Sequence, residues 1–414
     1  MKNHNIPKLR YPEFTDAWEK CKLGEVGTTY TGLSGKTKED FGHGQAKFIT
    51  YMNVFSNPIA SSSGVDQIEI DSRQNEVKFG DVFFTTSSET PEEVGMSSIW
   101  LENTENVYLN SFCFGYRPVK IFDPYFFAFY LRSPSIRAKI ILLAQGISRY
   151  NISKTKMMEQ EISIPTLPEQ QKIGNLFKQL DHLITLHKRK WDDVILLKKA
   201  LLQKMFPKNG SDFPEIRFPE FTDAWEKCKL GEVGTTYTGL SGKTKEDFGH
   251  GQAKFITYMN VFSNPIASSS GVDQIEIDSR QNEVKFGDVF FTTSSETPEE
   301  VGMSSIWLEN TENVYLNSFC FGYRPVKIFD PYFFAFYLRS PSIRAKIILL
   351  AQGISRYNIS KTKMMEQEIS IPTLPEQQKI GNLFKQLDHL ITLHKRQHEH
   401  YQLLKKALLQ QMFV

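Results

Sequence analysis

The sequence predicts an α/β (α+β) protein: two globular domains separated by a long antiparallel two-helix coiled coil, with pseudo-two-fold symmetry. Two observations lead to this prediction. Residues 12–189 recur without a difference as residues 219–396. Each copy begins with short β-branched and aromatic stretches and ends with a long stretch whose apolar residues recur every three or four positions. Because this period far exceeds that of solenoid repeats, each copy is a whole domain with its own helix.

Length and composition are those of an ordinary multidomain globular protein, with 414 residues, 40% of them hydrophobic and 23% charged. No apolar stretch reaches the roughly 20 residues of a membrane span, and the start MKNHNIPKLRYPEF lacks the apolar core of a signal peptide. We therefore predict a cytoplasmic protein with no membrane contact. Its four cysteines are too far apart for a disulfide scaffold or a zinc site.

The globular part of the first copy contains four predicted strand regions. They are AWEKCKLGEVG at 17–27, KFITYMNVF at 47–55, VKFGDVFFTT at 77–86 and VYLNSFCFGYRPV at 107–119. The third region is predicted as strand, Gly-Asp turn, strand. The segment 123–146 is predicted as two helices divided by Pro134.

Residues 169–206 and their counterparts 376–413 predict two helices of roughly 57 Å each. Such a helix is too long and too apolar to lie alone against a domain of about 150 residues, so we expect the two to pair antiparallel. The residues predicted for this pairing are Ile173, Leu180, Leu183, Val194, Leu201, Ile380, Leu387, Leu390 and Leu408.

These elements give predicted domain boundaries. The first globular domain covers residues 1–165 and its helix residues 166–206, and a linker rich in Gly, Pro and polar residues covers 207–217. The second globular domain covers residues 218–372 and the second helix residues 373–414.

The sequence contains no catalytic or metal-binding motif that meets its chemical requirements. GLSGKT at 32–37 resembles the end of a phosphate-binding loop, but Tyr30 stands where that loop needs glycine. Glu76 and Lys78 form only an isolated E-x-K, and DPY at 123–125 lacks the second proline of an amino-methyltransferase motif. His182 and His187 fall on different faces of a helix. We predict no catalytic residue, metal or cofactor in this chain.

A formal net charge of +2 conceals a local asymmetry. Residues 66–105 contain ten acidic and two basic side chains, whereas residues 117–156 contain eight basic and one acidic. This polarity predicts that the basic half faces a polyanion and the acidic half another partner.

Four polar segments carry residue types that read base edges or hold phosphates. They are the loop QGISRYNISKTK at 145–156, the loop TGLSGKTKED at 31–40, TTSSET at 85–90 and a predicted strand around residue 50. The predicted DNA-binding residues are Lys36, Lys38, Lys47, Thr50, Tyr51, Asn53, Ser87, Ser88, Arg149, Tyr150, Asn151 and Lys154, with their second-copy counterparts Lys243, Lys245, Lys254, Thr257, Tyr258, Asn260, Ser294, Ser295, Arg356, Tyr357, Asn358 and Lys361.

The order of motifs resembles the specificity subunit of type I restriction-modification systems. The motifs are W-x-x-x-K-L-G-E-V at 18–26, K-F-G-D-V-F-F at 78–84, G-I-S-R-Y-N-I-S at 146–153 and I-S-I-P-T-L-P-E-Q-Q-K-I at 162–173. The last motif runs into the long helix in both copies and is the most specific of the four.

The resemblance implies that each globular domain is a target-recognition domain for one half of a split double-stranded DNA site. It also implies that the helices set the spacer and dock two methyltransferase subunits, with restriction subunits in the full complex. S-adenosylmethionine, ATP and Mg²⁺ would then act on those partners, in adenine-N6 methylation and ATP-dependent cleavage. Identical domains depart from the family's usual pair of different domains, and we expect a palindromic site.

Two other functions stay open at this point. One is a self-contained DNA methyltransferase or nuclease with degenerate motifs. The other is a tandem protein-interaction adaptor that does not bind DNA.

Overall fold

The structure is a computed structural model that describes residues 5–120, 122–208 and 210–414. The chain forms two compact units. The first runs through Lys188 and also contains Arg396–Val414, and the second is Arg189–Lys395. Each unit therefore holds one globular domain, the N-terminal part of one long helix and the C-terminal part of the other.

The first copy contains twelve strands and five α-helices within the described residues. In chain order they are β1 Glu19–Lys22, β2 Gly27–Thr31, β3 Phe41–Ile49, α1 Tyr51–Ser56, β4 Ile59–Ala60, β5 Val65–Ile68, β6 Val82–Thr85, β7 Ser87–Ser88, β8 Ser97–Trp100, β9 Val107–Leu109, β10 Cys113–Pro118, α2 Pro124–Tyr130, α3 Pro134–Ile141, β11 Tyr150–Asn151, α4 Lys154–Met158, β12 Glu161–Ile164 and α5 Leu167–Lys204.

The second copy repeats this order, with a single bridge in place of β4. Its elements are β13 Glu226–Lys229, β14 Gly234–Thr238, β15 Phe248–Ile256, α6 Tyr258–Ser263, β16 Val272–Ile275, β17 Val289–Thr292, β18 Ser294–Ser295, β19 Ser304–Ile306, β20 Val314–Leu316, β21 Cys320–Pro325, α7 Pro331–Leu338, α8 Pro341–Ile348, β22 Tyr357–Asn358, α9 Lys361–Met365, β23 Glu368–Ile371 and α10 Leu374–Gln411.

The centre of the first domain is a sheet in the order β2-β10-β6-β8-β4, antiparallel except for the β4–β8 pair. Successive residues of β6 face opposite sides. Phe84 packs into the larger core with α2 and α3, and Phe83 packs into a second core with Val54 of α1. This sheet, buried on both faces, holds α1 on the side away from the long helix.

Two predicted strands are wrong in part. The region 47–55 is a strand only up to Ile49, because Thr50 Oγ1 accepts a hydrogen bond from the Asn53 amide at 3.3 Å and caps helix α1. The region 107–119 is two strands in different sheets, since Asn110 Oδ1 accepts from the Phe112 amide at 2.9 Å and closes a turn. Both errors follow from β-favouring residues that continue through a side-chain-stabilised turn.

The other predicted strands and helices agree better with the structure. Strand β6 and the Gly-Asp turn before it are present, but the strand predicted before that turn is wrong, since Val77 and Lys78 lie outside the strands. The helical segment is two helices, α2 and α3, each beginning with a proline after a capping side chain, Asp123 or Ser133. The division at Pro134 is confirmed.

The two long helices, α5 and α10, have 38 residues each, and both are confirmed. The only glycine of α5, Gly174, lies where the helix crosses the start of α2. A Cβ at this position would lie 2.2 Å from Asp123 Oδ1. Glycine here permits a close approach of α5 to its own domain.

Within each unit the two helical segments run antiparallel, as predicted. In the first unit Phe177 stacks on Phe413 with ring centres 5.4 Å apart, and Asp181 forms an ion pair with Lys405. Further along, His187 stacks on Tyr401. The second unit has the matching contacts: Phe384 with Phe206, and Asp388 with Lys198.

The residues predicted for helix pairing have more than one role. Ile173, Leu180, Ile380 and Leu387 are buried in the domain cores, and Leu408, Val194 and Leu201 pack against those cores while partly exposed. Leu183 is half-buried and Leu390 is 38% exposed. The apolar stripe therefore joins helix to domain as well as helix to helix.

Candidate nucleic-acid interface

An open groove of about 630 Å³ lies on the first unit between α1, β7 and the loops that precede β10 and β11. We call it the α1 groove. It is lined by Tyr51, Met52, Phe55, Ser87, Ser88, Glu89, Glu93, Phe112, Ser148 and Arg149. The second unit has an equivalent groove of about 720 Å³, lined by Tyr258, Met259, Phe262, Ser294, Ser295, Glu296, Glu300, Phe319, Ser355 and Arg356.

Short hydrogen-bonded links hold the walls of the α1 groove together. The Tyr51 hydroxyl of α1 donates to the Ser87 carbonyl at 2.9 Å. Burial raises the pKa of Tyr51, which keeps this phenol protonated as a donor. Strand β7 pairs antiparallel with β11, where Tyr150 faces Ser88 and Asn151 faces Ser87. Three segments that are distant in sequence thus form one surface.

The loop before β11 presents Arg149 at the rim of the groove. Gln145 and Asn151 exchange backbone hydrogen bonds of 2.9 and 2.8 Å and close the loop. Gly146 has a φ of +142°, and a Cβ there would lie 2.0 Å from the Arg149 carbonyl oxygen. The Arg149 side chain is exposed, and within the described ranges no carboxylate lies at ion-pair distance from it. It is available to an outside acceptor.

Two half-buried arginines support the walls from behind. Arg132 donates through Nε to the Ser97 carbonyl at 2.6 Å and through Nη2 to three carbonyls at the end of α1, those of Val54, Phe55 and Asn57. Arg137 donates to the carbonyls of Glu92, Val94 and Gly95. Burial lowers the pKa of each arginine to about 10, so both stay charged at neutral pH.

Among the predicted DNA-binding residues, the structure gives Thr50 and Asn53 an internal role. Thr50 caps α1 and donates to the Gly64 carbonyl at 3.1 Å. Asn53 is 4% exposed, and its amide donates to the carbonyls of Ser61 and Gly64, both at 2.8 Å. Asn53 is not free to read a base, and its counterpart Asn260 makes the same bonds. The segment predicted as a strand is a capped helix, and both side chains make their hydrogen bonds within the domain.

Three of the four lysines predicted in the first copy, Lys36, Lys38 and Lys47, do not line the α1 groove. Lys36 is 10% exposed and forms an ion pair of 3.0 Å with Asp71, as Lys243 does with Asp278 at 2.9 Å. Lys38 and Lys47 are exposed elsewhere on the domain, as are Lys245 and Lys254. The structure thus brings together only part of the predicted set.

The basic half of the sequence is not a continuous positive surface. Arg132 and Arg137 point inward, and Arg117 pairs with the buried Asp81 at 2.6 Å. Near the groove, Lys154 is half-buried, with Nζ 5.9 Å from the Phe114 ring centre. Among the ten residues given above as lining the α1 groove, Arg149 is the basic one.

Several groove residues were not predicted: Met52, Phe55, Glu89, Glu93, Phe112 and Ser148. Met52 and Phe112 are 59% and 57% exposed, which is unusual for large apolar side chains. Glu89 and Glu93 belong to the acidic half, which we assigned to a separate partner surface. That separation is wrong here, since both carboxylates line the same groove as Arg149. Glu89 and Ser148 lie in two of the polar segments named from the sequence, whereas Glu93 and Phe112 lie outside all four and are brought to the groove by the tertiary structure.

Within the described part of the chain, no group of three or more His, Cys, Asp or Glu side chains is arranged to hold a metal ion. Among the residues that the structure describes, none of the helices is long and apolar enough to span a membrane.

Comparisons with known proteins give the class. The family model described as "Type I restriction modification DNA specificity domain" matches residues 15–196 and again residues 222–400. The chain belongs to this family, the specificity subunits of type I restriction-modification systems.

Individual relatives are distant but match over long ranges. A Methanocaldococcus jannaschii protein assigned as the MjaX specificity subunit of a type I restriction enzyme is 22% identical over 434 residues, covering 99% of this chain and 95% of that protein. The MjaVIII specificity subunit from the same organism is 22% identical over 296 residues, 64% of each chain.

Two solved structures share the fold. The S subunit of a type I restriction-modification system from M. genitalium has a TM-score of 0.51 at 15% identity and covers 99% of both chains. The HsdS subunit from Thermoanaerobacter tengcongensis has a TM-score of 0.52 at 20% identity and covers 96% of both chains.

Proposed function

We propose that the chain reads a bipartite, palindromic DNA sequence, with the α1 groove of the first unit and its counterpart in the second unit each contacting one half-site. The observation that carries this proposal is the identity of the two grooves, which have the same ten lining side chains. Identical readers select identical half-sites, and we propose that the two half-sites form an inverted rather than a direct repeat.

Arg149 is the proposed principal base reader. Its exposed guanidinium matches the O6 and N7 acceptors of guanine in the major groove. Ser148 and Tyr150 flank it, and Asn151 and Lys154 follow on β11 and α4. We retain Ser87, Ser88 and Tyr51 as walls that position this loop, because their hydrogen bonds are largely made within the domain.

The partners follow from the family. We propose that two methyltransferase subunits dock on the helices and methylate adenine N6 from S-adenosylmethionine. Restriction subunits that use ATP and Mg²⁺ would join the full complex, and the assembly would act in the cytoplasm. The chain itself would supply specificity and no catalytic group.

A variant in one copy alone gives the sharpest test. Cells that carry the chain and its modification partner would be examined by methylome sequencing, first for an inverted-repeat motif with a constant spacer. Arg149→Ala with Arg356 intact should then relax one half-site only and turn the palindromic motif into an asymmetric one. The matched control is Arg73→Ala, an 86% exposed arginine outside the groove. An unchanged motif in the Arg149 variant would count against the proposal.

A second experiment addresses the rival functions. The purified chain, without partners, would be incubated with labelled S-adenosylmethionine or with Mg²⁺ and DNA. Turnover by the chain alone would make it an enzyme in its own right. A complex with the modification partner that binds DNA with no salt dependence, or not at all, would favour a protein adaptor.

A further inference from the structure

We propose that Glu89 and Arg149 read one G·C base pair together, with Arg149 donating to guanine and Glu89 accepting from the cytosine amino group. Glu296 and Arg356 would do the same in the second half-site. This inference rests on the proposed function and deepens it by naming the chemistry that each groove recognises.

The first step is that the α1 groove holds two unlike charges that do not neutralise each other. Arg149 and Glu89 both line it and both are exposed. In the described part of the chain no ion pair joins them, and Glu89 accepts no hydrogen bond, whereas its neighbour Glu93 accepts from the Ser88 hydroxyl at 3.0 Å. The Arg149 guanidinium can therefore donate hydrogen bonds to a ligand, and the Glu89 carboxylate can accept them.

The second step is that an arginine and a glutamate in one groove suit the edges of bases as ligands and do not suit phosphate. A phosphate held by Arg149 would be repelled by Glu89 in the same groove. The major-groove edge of a G·C pair, in contrast, presents two acceptors on guanine and one amino donor on cytosine. Arginine is the common partner of the former, and a carboxylate accepts from the latter.

Two exposed apolar side chains in the α1 groove also favour bases over phosphate as the ligand. Met52 and Phe112 are more than half exposed beside the two charges. Such side chains contact base faces and thymine methyl groups and offer nothing to a hydrated phosphate. The arginines behind the groove hold its walls through backbone carbonyls alone, so the rim is fixed before DNA arrives.

The test is methylome sequencing of cells carrying the full chain and its modification partner, with Glu89→Gln and Glu296→Gln introduced together. A glutamine amide can donate to thymine O4, and adenine N7 still accepts from Arg149. We therefore expect A·T to be accepted beside G·C at one defined pair of each half-site, with discrimination at that pair falling on the order of tenfold or more. Arg149→Ala with Arg356→Ala should relax the same pair.

Controls separate this reading from a structural role. Glu105→Gln with Glu312→Gln removes the same charge from exposed positions outside the groove and should leave the motif unchanged. Glu89→Ala with Glu296→Ala should weaken selection at the same base pair without the added preference for A·T that the glutamine variant gains. Thermal unfolding and assembly with the modification partner would be measured for each variant.

The possible outcomes distinguish failure of this inference from failure of the proposed function on which it rests. A bipartite wild-type motif that the Glu89 variants leave unaltered, or whose methylation they lower uniformly, would overturn the inference alone. Relaxation of different base pairs by the Glu and Arg variants would overturn it too. A wild-type chain that directs no bipartite methylation would overturn both.

Discussion

The Arg10 guanidinium donates two parallel hydrogen bonds to the Glu169 carboxylate, from Nε and from Nη2, each 2.7 Å long. Trp18 Nε1 donates to the same carboxylate at 3.2 Å, and the Glu169 side chain is 1% exposed. This pair ties the start of the chain to the first turn of α5. It gives the glutamate of the P-E-Q-Q motif a structural role, and Arg217 with Glu376 repeats it in the second unit.

Glu169→Gln should destabilise the first unit by about 3–5 kcal/mol, because it leaves a largely buried guanidinium without its counter-charge. The measurement is chemical denaturation of the full chain, followed by a probe in each unit. Glu13→Gln is the matched control. It removes an ion pair with Lys172 that is exposed on both sides, and no measurable change in midpoint is expected. Equal effects of the two variants on the unfolding midpoint would refute the stabilising role of the Arg10–Glu169 pair.

Arg132→Ala with Arg339→Ala should loosen the α1 groove. Each substitution removes four hydrogen bonds from a charged donor to backbone carbonyls, three of them at the end of α1 or of its counterpart. We expect a loss of about 3–5 kcal/mol per domain. Amide hydrogen exchange should rise first in residues 51–57 and 258–264. Unchanged protection in these segments would exclude a supporting role for the two arginines. The control is Lys156→Ala, at an exposed position.

Cys113 and Cys320 should resist alkylation in the folded chain. Both are 2% exposed, and burial raises the pKa of each thiol to about 12. At pH 8 only about one molecule in ten thousand would carry the reactive thiolate. Peptide mass spectrometry after treatment with a small alkylating agent should find these sites modified only after unfolding. Rapid native-state labelling of either thiol would contradict the buried position.

Removing one turn from both long helices should shorten the preferred DNA spacer by one or two base pairs, because a turn rises about 5.4 Å and a base pair about 3.4 Å. The deletion belongs where each helix passes from one compact unit to the other, near Lys188 and Lys395, so that both domains keep their cores. Methylome sequencing gives the spacer directly. Half-sites should stay the same, and a spacer that also stays the same would refute a ruler role for the helices.

Sequence patterns predicted the elements whose signal is local and periodic. The long helices, the division at Pro134 and the strand β6 needed only the spacing of apolar residues and the position of proline. Helix α1 was missed because its residues favour strands, and one side-chain cap at Thr50 decided the local structure. The candidate site was found only in part, since Arg149 and Glu89 lie in predicted polar segments whereas Glu93 and Phe112 do not.

By itself, the sequence determined that the protein is one domain and one long helix written twice, and its motifs identified the family. Tertiary structure alone decided which charged side chains face solvent. Arg132, Arg137 and Arg117 count as positive charge in a sequence, yet packing turns them toward carbonyls and a buried carboxylate. Glu89 counts as part of an acidic segment, yet the pairing of β7 with β11 brings that segment to the loop of Arg149. The order of charged residues along a chain does not determine which of them reach the surface, because that depends on the fold.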